Sequence, residues 1–280
     1  MENNAYRNIN EVLEAVAAGH ITPEQGDIEI ERLNQEQPAG NVNTKSSPKS
    51  ITGIWGGNID FDVNGSISGI IGGRIDTGVT ISGSISGPVG GGIGEGVHIG
   101  GSINGPLGGS IRNNVVIGGD LNGPIGGSIG ENVRIEGNIS GAVGGGIGQG
   151  TEIFGSVSGA VGGSMKGHVH GSVSGVIGGN MDGIIDGDCK GIIGGDLNGT
   201  VGGNVGLAHN KLRKVIKGDL NGKVGGSVYG KIRGDVTGTV DGDVYWICGD
   251  IQEGAVIKGR VDHLSGKNYG TVLGGIVKMH

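Results

Sequence analysis

Hydrophobic residues recur along most of the chain at intervals of four. In GSVSGAVGGSMKGHVH, residues 155–170, the apolar positions are Val157, Val161, Met165 and Val169, and the unit is Gly-x-Φ-x with Φ usually Val, Ile or Leu. An even interval keeps the apolar side chains on one face of an extended chain, whereas a helix needs spacings of three and four in alternation. β-branched residues suit a pleated surface, and the glycines permit sharp bends between very short strands. The pattern predicts strands of a few residues joined by tight corners.

A longer repeat encloses this one. Rows of eighteen residues begin at Gly65, Gly83, Gly101, Gly119 and Gly137 without an insertion, and from Gly155 the rows shorten to sixteen. The row Gly203 to Lys217 is irregular, GDLNGKVGGSVYGKIR resumes at Gly218, and rows from Gly234 and Gly249 carry the array to Leu264, about twelve rows in all. Read down the rows, the third position gives Ile67, Ile85, Ile103, Leu121, Ile139, Val157, Val173, Cys189, Val205, Leu220, Val236 and Ile251. Such a ladder buries like side chains between neighbouring coils, and a single coil could not offset the entropy of ordering its glycines. The expected fold is all-β: a parallel β-solenoid of about twelve coils with repeats of 16–18 residues. Apolar residues do not fall at the six-residue intervals of left-handed β-helices, and the general preference for right-handed crossovers makes a right-handed coil the expectation.

The flanks read differently. Residues 1–36 hold eight acidic and two basic residues, hence six of the seven net negative charges of the chain. Asn8 and Glu11 form a capping box before Val12, Leu13, Val16 and Ala17, Gly19 is a stop, and Thr22, Pro23 and Gln25 open a second helical stretch. This predicts a short helical hairpin, similar to the two-helix modules that precede solenoids in some bacterial proteins, able to hold a protein partner or to serve as an acidic solubilising tail. Residues 37–50 read as a polar linker and 51–264 as the solenoid. Residues 265–280, with Tyr269, Val272, Leu273, Ile276 and Val277, are expected to cap the last coil.

Composition narrows the function classes. Glycine fills 69 of 280 positions without the Gly-X-Y period of collagen, and aromatics make up only 3%. No run approaches the roughly 18 apolar residues of a membrane span, the first residues lack a signal pattern, and the two cysteines form no disulfide framework. A cytoplasmic location is expected, with a membrane surface as a weaker association and no nucleic-acid partner. Cys189 falls in the third-position ladder, and Cys248, after Trp246 and Ile247, reads as buried.

Histidines 168 and 170 flank inward Val169 and point outward; such a pair can hold a metal, but the local sequence offers no third ligand, so neither metal nor cofactor is expected. Aspartates at the second row position, Asp120, Asp188, Asp219, Asp235 and Asp250, read as corner chemistry, since the calcium-roll nonapeptide is missing. Gly-x-Gly-x-x-Gly strings are inevitable here and carry no nucleotide signal. With no convergent acid, base and nucleophile, the chain reads as a structural protein, not an enzyme.

Three surface features stand out. The sixth row position, Ile70, Pro88, Pro106, Pro124, Ala142, Ala160, Val176 and Ile192, makes an apolar stripe suited to lateral contact. Trp55 and Phe61 near one end, and Tyr229, Tyr245, Trp246 and Tyr269 near the other, read as end caps or end-to-end contacts. Lys211, Arg213, Lys214 and Lys217 in the irregular row form a basic cluster, a solvated loop or a contact for an acidic partner.

The stretch GDLNGKVGGSVYGKIRGDVTGTVDGDVY, followed by GDIQEGAVIKGRV, resembles the bactofilins, polymer-forming bacterial cytoskeletal proteins. The resemblance implies a right-handed solenoid that assembles end to end into nonpolar filaments without nucleotide. The array is longer than a typical bactofilin core and carries a helical segment where bactofilins have a short tail. Adhesin-like envelope solenoids are the alternative relatives, and a left-handed acyltransferase, with His98 as base, is the enzymatic one.

Overall fold

The computed structural model describes residues 50–210 and 213–280, together with His20 and Gln25. The predicted hairpin, and the linker apart from Ser50, otherwise lie outside the described residues. The chain divides into two units, Met1–Ser46 and Ser47–His280. The second is a parallel β-solenoid, its strand pairs and isolated bridges parallel throughout the described residues. Most strands hold two residues, and the short elements stack into a twelve-stranded sheet and a six-stranded one.

Four inward columns form the core. One runs Ile51, Ile67, Ile85, Ile103, Leu121, Ile139, Val157, Val173, Cys189, Val205, Val228, Val244, Val261, Ile276, so the stack has fourteen levels, not twelve. Two of the additional levels lie at the ends, where Ile51 precedes the first full row and residues 265–280 form a coil of their own. That last coil covers the one beneath it through Thr271–Val272 and Ile276–Met279.

The expected ladder is correct down to Val205 and then changes column. Leu220, Val236 and Ile251 are fully buried, but they continue the column Met165, Met181, Leu197. The partner of Val205 is Val228. Register partners here are 23 residues apart, where the coil before has 16. The seven extra residues lie between Gly206 and Lys214. The segments Val205–Gly206 and Lys214–Ile216 are two halves of one strand, and both pair with the uninterrupted Val228–Ile232. The Gly-x-Φ-x unit repeats four times per coil, so half a coil can be skipped without altering the local pattern.

Corners are held by side chains reaching from one coil to the next. The hydroxyl of Ser84 accepts the amide N–H of Ser102 (3.1 Å), Ser102 that of Asp120 (3.0 Å), Asp120 that of Asn138 (2.7 Å), and Asn138 that of Ser156 (2.8 Å). The series continues through Ser172, Asp188, Asn204, Ser227 and Asp243. A second series passes through Asn180, Asp196, Asp219, Asp235 and Asp250. The recurrent Gly-[Ser/Asn/Asp]-Φ thus satisfies a corner amide in the next coil. The neighbouring corner requires glycine for space: a Cβ on Gly123 would lie 2.0 Å from the carbonyl oxygen of Gly105.

The change from eighteen to sixteen residues per coil has its own solution. In the longer coils an added turn carries a fifth inward residue, Val79, Val97, Val115 and Val133, preceded by Gly78, Gly96, Asn114 and Asn132 at positive φ. Glycine and asparagine are the residues that adopt this backbone most readily. In the last longer coil the fifth residue is Thr151, whose hydroxyl donates to Gly130 O (2.8 Å) and accepts from Val133 N–H (3.2 Å). It is the one buried polar side chain among the described residues.

Candidate functional site

The outward face of the twelve-stranded sheet carries the densest chemistry. Its register places Arg134, Glu152, His168 and Ile184 side by side in successive coils. One inward position further on, Ile135, Ile153, Val169 and Ile185 are buried, so Glu136, Phe154, His170 and Asp186 emerge again on the outer side. His168 Nε2 lies 2.9 Å from one Asp186 carboxylate oxygen, and His170 Nδ1 lies 3.1 Å from the other. The two imidazoles face each other with centroids 4.0 Å apart. Phe154 stacks on His170 at 4.7 Å, and the Arg134 guanidinium covers Phe154 at 4.2 Å while its Nε holds Glu136 at 2.6 Å.

The cluster binds its own aspartate in the ionised form. The hydrogen bond from His168, chiefly, holds the Asp186 carboxyl below the usual carboxylate range, with His170 adding to the effect. His170 Nε2 is buried without a partner.

Sequence reading found the outward histidine pair and missed its third member. Asp186 is sixteen residues beyond His170, one short coil away, and only the coil length brings the two together. Reading the outer columns at that period was the signal available.

The other candidates are distributed along the rod. The stripe residues Ile70, Pro88, Pro106, Pro124, Ala142, Ala160 and Val176 are exposed, Ile192 is half-buried, and a shallow apolar groove follows them over the first coils. Trp55 and Phe61 meet edge to face at 5.4 Å in the first coil and pack on the core. Tyr245 and Trp246 do not lie on the end plane: they sit on the flank of the strand Val244–Ile247, where Trp246 stacks on His263 at 4.9 Å and under the Lys231 ammonium at 3.8 Å. Tyr229 is half-buried on the same sheet, and Tyr269 is exposed on the last coil. Of the basic row, Lys214 and Lys217 are exposed, Arg213 is half-buried, and Lys211 lies outside the described residues.

The cysteines divide. Burial pushes the Cys189 thiol up to about 12, so it stays protonated in the core. Cys248 is exposed, contrary to the sequence expectation, because Ile247 takes the inward place opposite Ile232 and turns the next residue out. No protein-family model, curated protein or solved structure matches the chain.

Proposed function

We propose that the protein is a structural scaffold that associates with further copies of itself through the end of its solenoid, in the manner of bactofilin-type cytoskeletal polymers. The observation that carries this reading is the last coil, which has a single coil packed against it among the described residues. Strands Thr271–Val272 and Ile276–Met279 are the edges of their sheets. Of the inward residues of this coil, Met279 is 64% exposed and Val272 and Ile276 are half-buried, whereas their partners Leu264, Ile257 and Val261 in the coil beneath are 0% exposed. Edge strands offer unpaired N–H and C=O groups as a template for another chain. The occupant that fits is a second copy, whose coil ends carry the same columns at the same spacing. The first coil differs: Ile59 and Val63 are 0% and 1% exposed.

Light scattering and negative-stain microscopy of the full chain, and of a chain beginning at Ser50, test the reading. Oligomers or filaments are expected, with Met279→Asp weakening them while leaving the melting temperature in place. A strict monomer at tens of micromolar in both forms overturns self-assembly and favours a solitary, adhesin-like rod.

A further inference from the structure

We propose that His168, His170 and Asp186 form a binding site for a divalent transition-metal ion, clamping two coils at the point where the repeat shortens. The two histidines belong to one coil and the aspartate to the next, so a shared ion would cross-link them.

The chemistry of the donor set identifies the class of ion. Two imidazoles and one carboxylate suit zinc, cobalt or nickel better than calcium or magnesium, which take oxygen ligands. One ligand atom from each residue falls within 4.8 Å of the others. With metal–ligand bonds of about 2.0–2.1 Å, neighbouring donors of one ion lie about 2.9–3.4 Å apart. His168 Nε2 lies 2.9 Å from Asp186 Oδ1 and His170 Nδ1 3.1 Å from Oδ2, while the whole donor set spans up to 4.8 Å, so a small movement of the side chains closes it on one ion. The ion would take the place of the protons that now bridge each imidazole to the carboxylate.

The surroundings hold the donors in place. The strand backbone separates His168 from His170 by one inward residue, which sets both rings on the outer face. Phe154 fixes the ring of His170 by stacking, and Arg134 in turn holds Phe154. Asp186 is exposed, so its carboxylate can exchange its two imidazole hydrogen bonds for bonds to the ion. Three protein donors leave coordination positions for water or for a side chain from another molecule. Coordination through His170 Nδ1 leaves a proton on the buried Nε2 without an acceptor, a cost that weakens the site.

The test is a calorimetric zinc titration of the untagged full chain, paired with visible absorption during cobalt titration. One equivalent is expected to bind, with cobalt d–d bands and a zinc-dependent rise in melting temperature. His168→Gln and Asp186→Asn should each weaken binding by at least the roughly tenfold that loss of an outer-shell partner already costs a metal site. Both residues lie at the surface, and circular dichroism checks that the variants keep the fold. The other close histidine pair, His263 and His280 with ring nitrogens 3.0 Å apart, is the internal control. His263→Gln should leave the titration unchanged. Absence of saturable binding, equal binding by wild type and Asp186→Asn, or loss of binding only in His263→Gln would each overturn the site.

Discussion

Met181 and Met279 occupy inward columns of the same solenoid, yet one is 0% and the other 64% exposed. They differ in neighbours. Met181 has a coil on either side, whereas Met279 has a single described coil beneath it, at Leu264. A coil of this kind has little interior of its own, and what buries an inward residue is the pair of adjacent coils. Stability is then a sum of interfaces between neighbours, and the last coil is the place where one of those terms is missing.

The largest effects should follow from breaking the middle. Val173→Asp places an unpaired charge between two coils and should cost more than about 4 kcal/mol, read in a thermal or denaturant melt. Met279→Asp should leave that melt nearly unchanged. Ser172→Asp, beside Val173, should also be close to neutral, because aspartates already accept the corner amide at Asp120 and Asp188. Equal loss from Val173→Asp and Met279→Asp would refute the account by neighbouring coils.

Glycine substitutions sharpen the same contrast at an intermediate scale. At Gly123 an added Cβ meets the carbonyl of the coil below, and Gly123→Ala should cost several kcal/mol or force the corner open. Gly275, in the last coil, has φ +79° and nothing within 4 Å of an added Cβ. Gly275→Ala should therefore cost only the backbone strain, about 1–2 kcal/mol. Paired melts of the two variants give the comparison directly.

The smallest effect concerns charge on the outer face. Lys258 Nζ lies 2.7 Å from Asp241, and that hydrogen bond holds the carboxyl below the usual range. A lowered carboxylate pKa adds stability above the ordinary value and loses it as pH falls through the lowered one. Lys258→Gln should thus melt slightly lower than wild type at neutral pH and equally in strong acid. A difference that grows in acid would contradict the pairing.

Much of this architecture was legible because inward residues recur at even spacing. Every member of the predicted ladder is buried, including Leu220, Val236 and Ile251. Their column was not legible, since each quarter of a coil has the same Gly-x-Φ-x pattern and the insertion before Lys214 shifts the register by whole units. The candidate metal site was half legible for a related reason. His168 and His170 are neighbours in sequence, while Asp186 becomes their neighbour only once a local period of sixteen is applied. Cys248 failed because the strand Val244–Ile247 spaces its inward residues by three, as Val261–Leu264 and Ile276–Met279 do after it, where the coils before Gly206 use four or two.

The insertion between Gly206 and Lys214 leaves the columns on either side of it aligned, with Val205 on Val228 and Ile193 on Ile216. The rod therefore contains a natural grafting point. A guest peptide spliced there would be carried at a set height along the axis, and moving the splice from coil to coil would shift it in steps of about 4.8 Å.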